Sequence, residues 1–128
     1  MPTPSLGVTF ASVQALGPAT ALEVARQADA LGYGSFWTAE VTGPEAFATL
    51  GAVSAVAPGL DLGTGVLALQ LRTPPLLAMA GATLQALAPD RQVLLGIGIS
   101  SPVVAARWHG AGYGARYPTP CLSPRSLR

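Results

Sequence analysis

Few side chains in this 128-residue chain have the chemistry to act on a ligand: six acids, seven bases that are all arginine, one histidine and one cysteine. Glu40 is the most informative, because it ends the apolar run SFWTAE, residues 35–40. A carboxylate at the end of an apolar strand must find a partner or shift its pKa, which makes it a candidate to hold a ligand or a catalytic group. The structural alternative is a surface acid standing just ahead of a helix cap. Two glycine pairs, Gly63-Thr64-Gly65 and Gly96-Ile97-Gly98, lie inside other apolar runs. Glycine packs nothing in a strand, so it marks a bulge or the close approach of a backbone or a flat ligand. Neither pair is a dinucleotide fingerprint, since the third glycine is missing, and no Walker-type phosphate loop occurs.

His109 has no second histidine at ligand spacing, so no metal site is expected, and its position fits the end of a helix. Ser100 and Ser101 lack the Gly-x-Ser-x-Gly context of a hydrolase nucleophile, and Ser101 before Pro102 reads as a helix N-cap. Cys121, the single cysteine, excludes an internal disulfide and a cysteine-built metal site and fits a reducing cytoplasm.

The elements that must position these residues follow from periodicity. Four β-like runs, Leu6–Phe10, Ser35–Glu40, Leu60–Leu69 and Gln92–Ser100, begin at roughly 30-residue intervals. Between them lie helical stripes. Ala21, Val24, Ala25, Ala28 and Leu31 follow Pro18 and end at Gly32. Leu50, Val53 and Val56 follow Thr42-Gly43-Pro44-Glu45, which has the form of a capping box with Thr42 as N-cap. Leu76, Ala80, Leu84 and Leu87 follow Thr73-Pro74-Pro75, and a further helix is expected from Ser101-Pro102 through Trp108. The order β-α-β-α-β-α-β-α predicts a parallel sheet in an α/β fold, either an open doubly wound sheet or part of a barrel. In both, sites form at the carboxyl ends of the strands. That rule selects Thr9 and Phe10, then Trp37, Thr38 and Glu40, then Gly65, Val66, Leu67 and Ala68, and finally Gly98, Ser100 and Ser101.

Composition narrows the function classes. Half the residues are apolar and 10% are charged, a low surface charge for a small free-standing domain, and the net charge is +1. No basic run interleaved with aromatics points to nucleic acid, and no apolar stretch reaches the ~18 residues of a membrane span. The opening MPTPSLGVTF lacks the pattern of a signal peptide. Neither a nucleic acid nor a membrane is therefore an expected partner.

Together, YGSFWTAEVTGPEAFATLGAVSA (33–55), the text from Leu60 to Pro102 and RWHGAGYG (107–114) resemble the luciferase-like monooxygenase superfamily, in particular its coenzyme F-420-dependent oxidoreductase branch. The resemblance implies the N-terminal half of a (β/α)8 TIM barrel over residues 1–112, about four β-α units. It implies a third-strand bulge with a non-prolyl cis peptide at Gly65-Val66-Leu67. A deazaflavin or flavin ring would lie against that bulge, with Phe10, Gly98 and Ser100 as its other neighbours and Glu40 tuning or positioning the site. The implied activity is hydride transfer between coenzyme F-420 and a small organic substrate; the alternative is an FMN-dependent monooxygenase of the same fold. The sequence departs from relatives at Ala68, where they often carry proline, and after Tyr113-Gly114, where they continue into Arg-Pro. Residues 113–128 read as a disordered, frame-shifted tail. A half-barrel would have two open strand edges and pair with a second copy or aggregate, and an inactive remnant that only oligomerises is the non-enzymatic alternative.

Overall fold

The computed structural model describes residues 5–111, so the reading of 113–128 as a tail lies outside the described residues. Four strands form one sheet: β1 (Gly7–Thr9), β2 (Ser35–Thr38), β3 (Asp61–Ala68) and β4 (Val93–Gly98). They pair in the order β1-β2-β3-β4, and every pairing is parallel. A doubly wound sheet reverses its strand order at a switch point, whereas a barrel adds each strand beside the last. The unbroken order therefore settles what periodicity left open, and the architecture is a (β/α) barrel segment.

The helices are α1 (Gly17–Ala30), α2 (Ala46–Val56) and α3 (Pro74–Leu87), followed by a six-residue π-helical turn at Val103–Trp108. They pack on one face of the sheet. Phe36 and Leu62 point into that layer and meet Ala21, Ala25, Ala28, Leu50, Val53 and Leu84 in one buried cluster. Strand side chains alternate between faces, so Trp37 and Gly63 lie on the opposite, open face, which would be the inside of a closed barrel.

Three local expectations are corrected. The N-cap of α2 is Glu45 and not Thr42: Glu45 is extended (φ −69°, ψ 135°) and its Oε2 accepts from Ala48 N. A cap must sit one residue before the first helical turn, and that turn begins at Ala46. Leu31 lies past the end of α1 and is 75% exposed. In α3 the inward line is Gly81, Leu84 and Ala88, leaving Leu76 and Leu87 exposed. That helix is apolar all round, so the expected stripe is rotated by about one residue, and the close fit of Gly81 against Leu95 selects the other line.

Distant polar groups complete the helix ends. The Arg91 guanidinium, at the start of β4, donates to the Ser54, Ala57 and Leu60 carbonyls at the end of α2. The Asp29 carboxylate near the end of α1 accepts from Gly59 N at 3.2 Å. Gly32, in the left-handed region at φ +77°, stops α1 as expected. Among the described residues no helix is long and apolar enough to cross a membrane.

The regular pairing of β3 with β4 breaks once. Thr64 pairs with Leu95 and Leu67 with Ile97, so Gly65 and Val66 together oppose Gly96. The Gly65–Val66 peptide is cis, as the resemblance implied. A Cβ on Gly96 would lie 2.2 Å from the Thr64 carbonyl oxygen, an approach only glycine permits. Gly96→Ala is therefore expected to destabilise the protein by about 1–3 kcal/mol through overpacking. Urea denaturation checks this, and an unchanged midpoint would contradict the close approach.

Candidate active site at the carboxyl edge of the sheet

All the residues singled out as site candidates lie at or just beyond the carboxyl ends of the strands. Phe10 follows β1, Glu40 follows β2, Gly65, Val66 and Leu67 lie late in β3, Gly98 ends β4 and Ser100 follows it. Backbone contacts join several of them. Glu40 N donates to the Val66 carbonyl at 3.2 Å, tying the end of β2 to the bulge. Gly98 pairs with Ala68, and a Cβ on Gly98 would meet Val66 Cγ2 at 3.1 Å. Ser100 N donates to Gln70 Oε1 at 3.3 Å, joining the mouth beyond β4 to that beyond β3.

These candidates divide by exposure. Val66 is 45% exposed, standing above the glycines of β4. Phe10 is 1% exposed; its N–H donates to the Trp37 carbonyl and its ring stacks on Phe36, with centroids 6.4 Å apart. That ring faces the helical layer and presents no surface at the mouth. Leu67, just past the bulge, is likewise buried. The surface open to a flat ligand is therefore the Gly65-Val66 segment, which covers Gly98, with Ser100 at its rim.

Glu40 is held by the protein itself. Its carboxylate accepts from Arg72 Nε at 3.3 Å, from Arg72 Nη2, and from Ala46 N at 3.3 Å at the start of α2. Arg72 Nη2 also pairs with Glu45, and its guanidinium lies 5.0 Å above the Phe47 ring. One arginine thus bridges two carboxylates that both serve the N-terminus of α2, where helix N–H groups favour negative charge. The hydrogen bond to Glu40, with the charges of both glutamates, pushes the Arg72 guanidinium above its usual value against the desolvation that lowers it. Burial alone would raise the Glu45 carboxyl. Hydrogen bonding from Ala48 N–H, to Glu40 and from Phe47 N–H, with the nearby Arg72 charge, outweighs burial and holds it below the ordinary range.

Sequence reasoning did not single out Arg72. Its signal was available: it follows β3 in Leu71-Arg72-Thr73-Pro74, at the sheet edge where Glu40 needs a partner. His109 ends the π-helical turn, as its place in the sequence suggested, and its Nε2 lies 2.8 Å from the Val41 carbonyl. With Glu40, Glu45 and Arg72 it lines a cavity of about 260 Å³. Ser101 Oγ accepts from Val104 N at 3.3 Å, so that hydroxyl is used as a cap. Among the described residues no three His, Cys, Asp or Glu side chains form a group able to hold a metal.

The donor set fits one part of a flavin-type group. An apolar ledge at Val66, seated over Gly98, and a hydroxyl at Ser100 suit the face of a tricyclic ring. Arg72 is engaged by two carboxylates and is not free to hold an anionic tail.

The electrostatics of the Arg72 cluster generate two expectations. Arg72→Met leaves the largely buried Glu40 without its counter-charge and should cost about 3–5 kcal/mol near neutral pH. Denaturant midpoints of the wild type and the variant measure it, and equal midpoints would contradict the ion pair. Glu45 has a folded pKa below its unfolded one. Its stabilisation is therefore present above the ordinary value of 4.5 and is lost as pH falls through the lowered folded value. Glu45→Gln should flatten this acid limb of the stability curve.

Comparison with known proteins agrees with the geometry. The family model for luciferase-like monooxygenases matches residues 6–119. A Mycobacterium tuberculosis protein named as a coenzyme F-420-dependent oxidoreductase is 34% identical over 120 residues, which is 94% of this chain and 33% of that protein. The coenzyme F-420-dependent tetrahydromethanopterin reductase of Methanopyrus kandleri superposes with a TM-score of 0.74 at 18% identity, over 85% of this chain and 30% of that one. The FMN-bound oxygenating constituent of 3,6-diketocamphane monooxygenase from Pseudomonas putida gives 0.70 at 21% identity, over 83% and 32%. The chain spans about a third of the length of these relatives. With its sequential parallel strands, its third-strand bulge and this match across most of its length, the chain belongs to the luciferase-like monooxygenase family.

Proposed function

We propose that this chain forms the ring-side part of a deazaflavin or flavin site whose reaction is hydride transfer between the cofactor and a small organic substrate. The observation that carries the reading is the exposed Val66 ledge on the β3 bulge, beside Gly98 at the carboxyl edge of a parallel sheet. The name of the mycobacterial relative favours coenzyme F-420. When bound, the cofactor supplies the hydride chemistry, and the protein supplies orientation and electrostatics.

The chain's own residues have distinct tasks in this reading. Val66 and the Gly65–Val66 backbone bear one face of the ring, and the missing side chain at Gly98 gives the Val66 side chain its place. Ser100 offers a hydroxyl at the rim. Glu40 is a positioning residue: its backbone N–H holds the Val66 carbonyl, and its carboxylate holds Arg72 against the start of α2. The ledge is thereby anchored to the framework that fixes the mouth. A second reading, an FMN-dependent monooxygenase, draws on the FMN-bound structural neighbour. Among the described residues no strand pairs with the outer edges of β1 and β4, which favours a third reading, in which this chain only associates through those edges and has no activity.

Titrating the 128-residue chain with coenzyme F-420 and, separately, with FMN, followed by quenching of tryptophan fluorescence, tests the proposal. Saturable quenching by coenzyme F-420 is expected, at least tenfold weaker in Gly98→Leu with an unchanged circular dichroism spectrum. Tighter binding of FMN would favour the monooxygenase reading. No binding of either would overturn the cofactor reading for this chain.

A further inference from the structure

One aromatic ring on the open face of the sheet belongs to neither the helical core nor the Glu40–Arg72 cluster. Trp37 lies in β2, between Thr9 of β1 and Gly63 of β3. It is half-buried, and its indole lies across the sheet. A Cβ on Gly63 would stand 2.3 Å from Trp37 Cε3, and one on Gly7 would stand 3.2 Å from Nε1. Both neighbouring strands therefore carry glycine where the ring rests, although glycine weakens a strand. Trp37 Nε1 donates to Ser35 Oγ at 2.9 Å, which fixes the rotation of the ring. Packing of the indole accounts for Gly7 and Gly63 but not for Gly65. There an added Cβ would meet Trp37 Cε3 at 3.7 Å, an ordinary contact, and apart from the adjoining residues nothing else within 4 Å. The space would take a side chain, and yet the position is bare. The result is an open patch of backbone with two walls. The Val66 side chain, seated over Gly96 and Gly98, stands on the β4 side, and the benzo edge of Trp37 stands on the β2 side.

We infer that Trp37 is the side wall of the ring site, a positioning residue that stops a ring lying on Gly65 and Val66 from sliding toward β2. This role rests on the cofactor reading of the same site. Aromatic groups attract one another through offset and edge-to-face contacts, so an indole edge beside the bare backbone is a favourable neighbour for a flat ring. The wall is preorganised. Its ring is already held by the sheet backbone beneath it and by Ser35 at Nε1, so little freedom remains to be lost on binding. The one donor of the indole is engaged by Ser35, and the wall therefore offers apolar contact only. Polar recognition is left to the rim, where Ser100 stands.

Single-tryptophan variants of the 128-residue chain test this, because Trp37 and Trp108 are its two tryptophans. Trp108→Phe changes a residue that is 64% exposed and leaves Trp37 as the one emitter. Equilibrium dialysis against coenzyme F-420, read from the coenzyme's own absorbance, measures binding independently of emission. Acrylamide then reports contact at the indole through its bimolecular quenching constant, taken from emission lifetimes. In Trp108→Phe, saturating coenzyme F-420 should lower that constant at least roughly threefold, because a bound ring covers the open edge of Trp37. Trp37→Ala should weaken retention of the coenzyme about fivefold, and Trp37→Phe less than roughly twofold, as for the loss and the replacement of one aromatic contact. If circular dichroism shows that Trp37→Ala does not fold, the shielding in Trp108→Phe decides alone. Retention of the coenzyme with Trp37 still as open to acrylamide as in the free chain overturns the side wall and leaves the cofactor reading intact. Retention by folded Trp37→Ala equal to that of the wild type does the same. No retention by the wild type overturns both.

Discussion

The arrangement of this protein turns on one extra residue in β3. Two residues, Gly65 and Val66, occupy the space opposite Gly96, and the strand must arch to accommodate them. The arch drives the Thr64 carbonyl to where a Cβ on Gly96 would lie, so residue 96 has no side chain. Thr64 Oγ1 donates to the Gly96 carbonyl at 3.0 Å, so the irregular step stays hydrogen-bonded across the sheet. The same arch lifts Val66 to the surface and turns its carbonyl toward Glu40 N. Backbone geometry at one point in the sheet thus decides which side chain is exposed at the mouth and where the neighbouring loop is anchored.

A second constraint acts just beyond the bulge. Arg72, largely shielded from solvent, needs counter-charges, and α2 needs acceptors for its first N–H groups. Glu40 and Glu45 meet both needs together. The loop between β2 and α2 is consequently held from three sides: by the bulge through Glu40 N, by Arg72 through the carboxylates, and by His109 through the Val41 carbonyl. Such a loop can carry a site because rigid elements fix it. The outer layer follows a separate logic, in which α1 is charged toward solvent while α2 and α3 are not.

Much of the architecture was legible in the chain. Strand runs broken at intervals of roughly 30 residues, with one-sided helical stripes between them, specify a parallel α/β fold because periodicities of 2 and 3.6 are properties of local backbone geometry. The position of Glu40 at a strand end was legible for the same reason. The carboxyl-edge rule could not separate side chains that face the mouth from those that face the core. Phe10 and Leu67 meet the rule by position yet are buried, Phe10 in the cluster under the helices. In α3 two apolar lines compete, and only contact with Leu95 decides between them.

What the sequence by itself determined is the order and type of the elements, the strand ends at which chemistry can occur, and the family whose text they resemble. These are encoded in short-range patterns and need no knowledge of what packs against what. Tertiary structure alone decided that β1 to β4 pair in sequence, that Gly96 yields to the Thr64 carbonyl, and that Glu40 and Glu45 share Arg72. Each of these joins residues about 30 positions apart. A partner at that distance is chosen by how the sheet closes and how buried charges are balanced, which no local window of sequence contains.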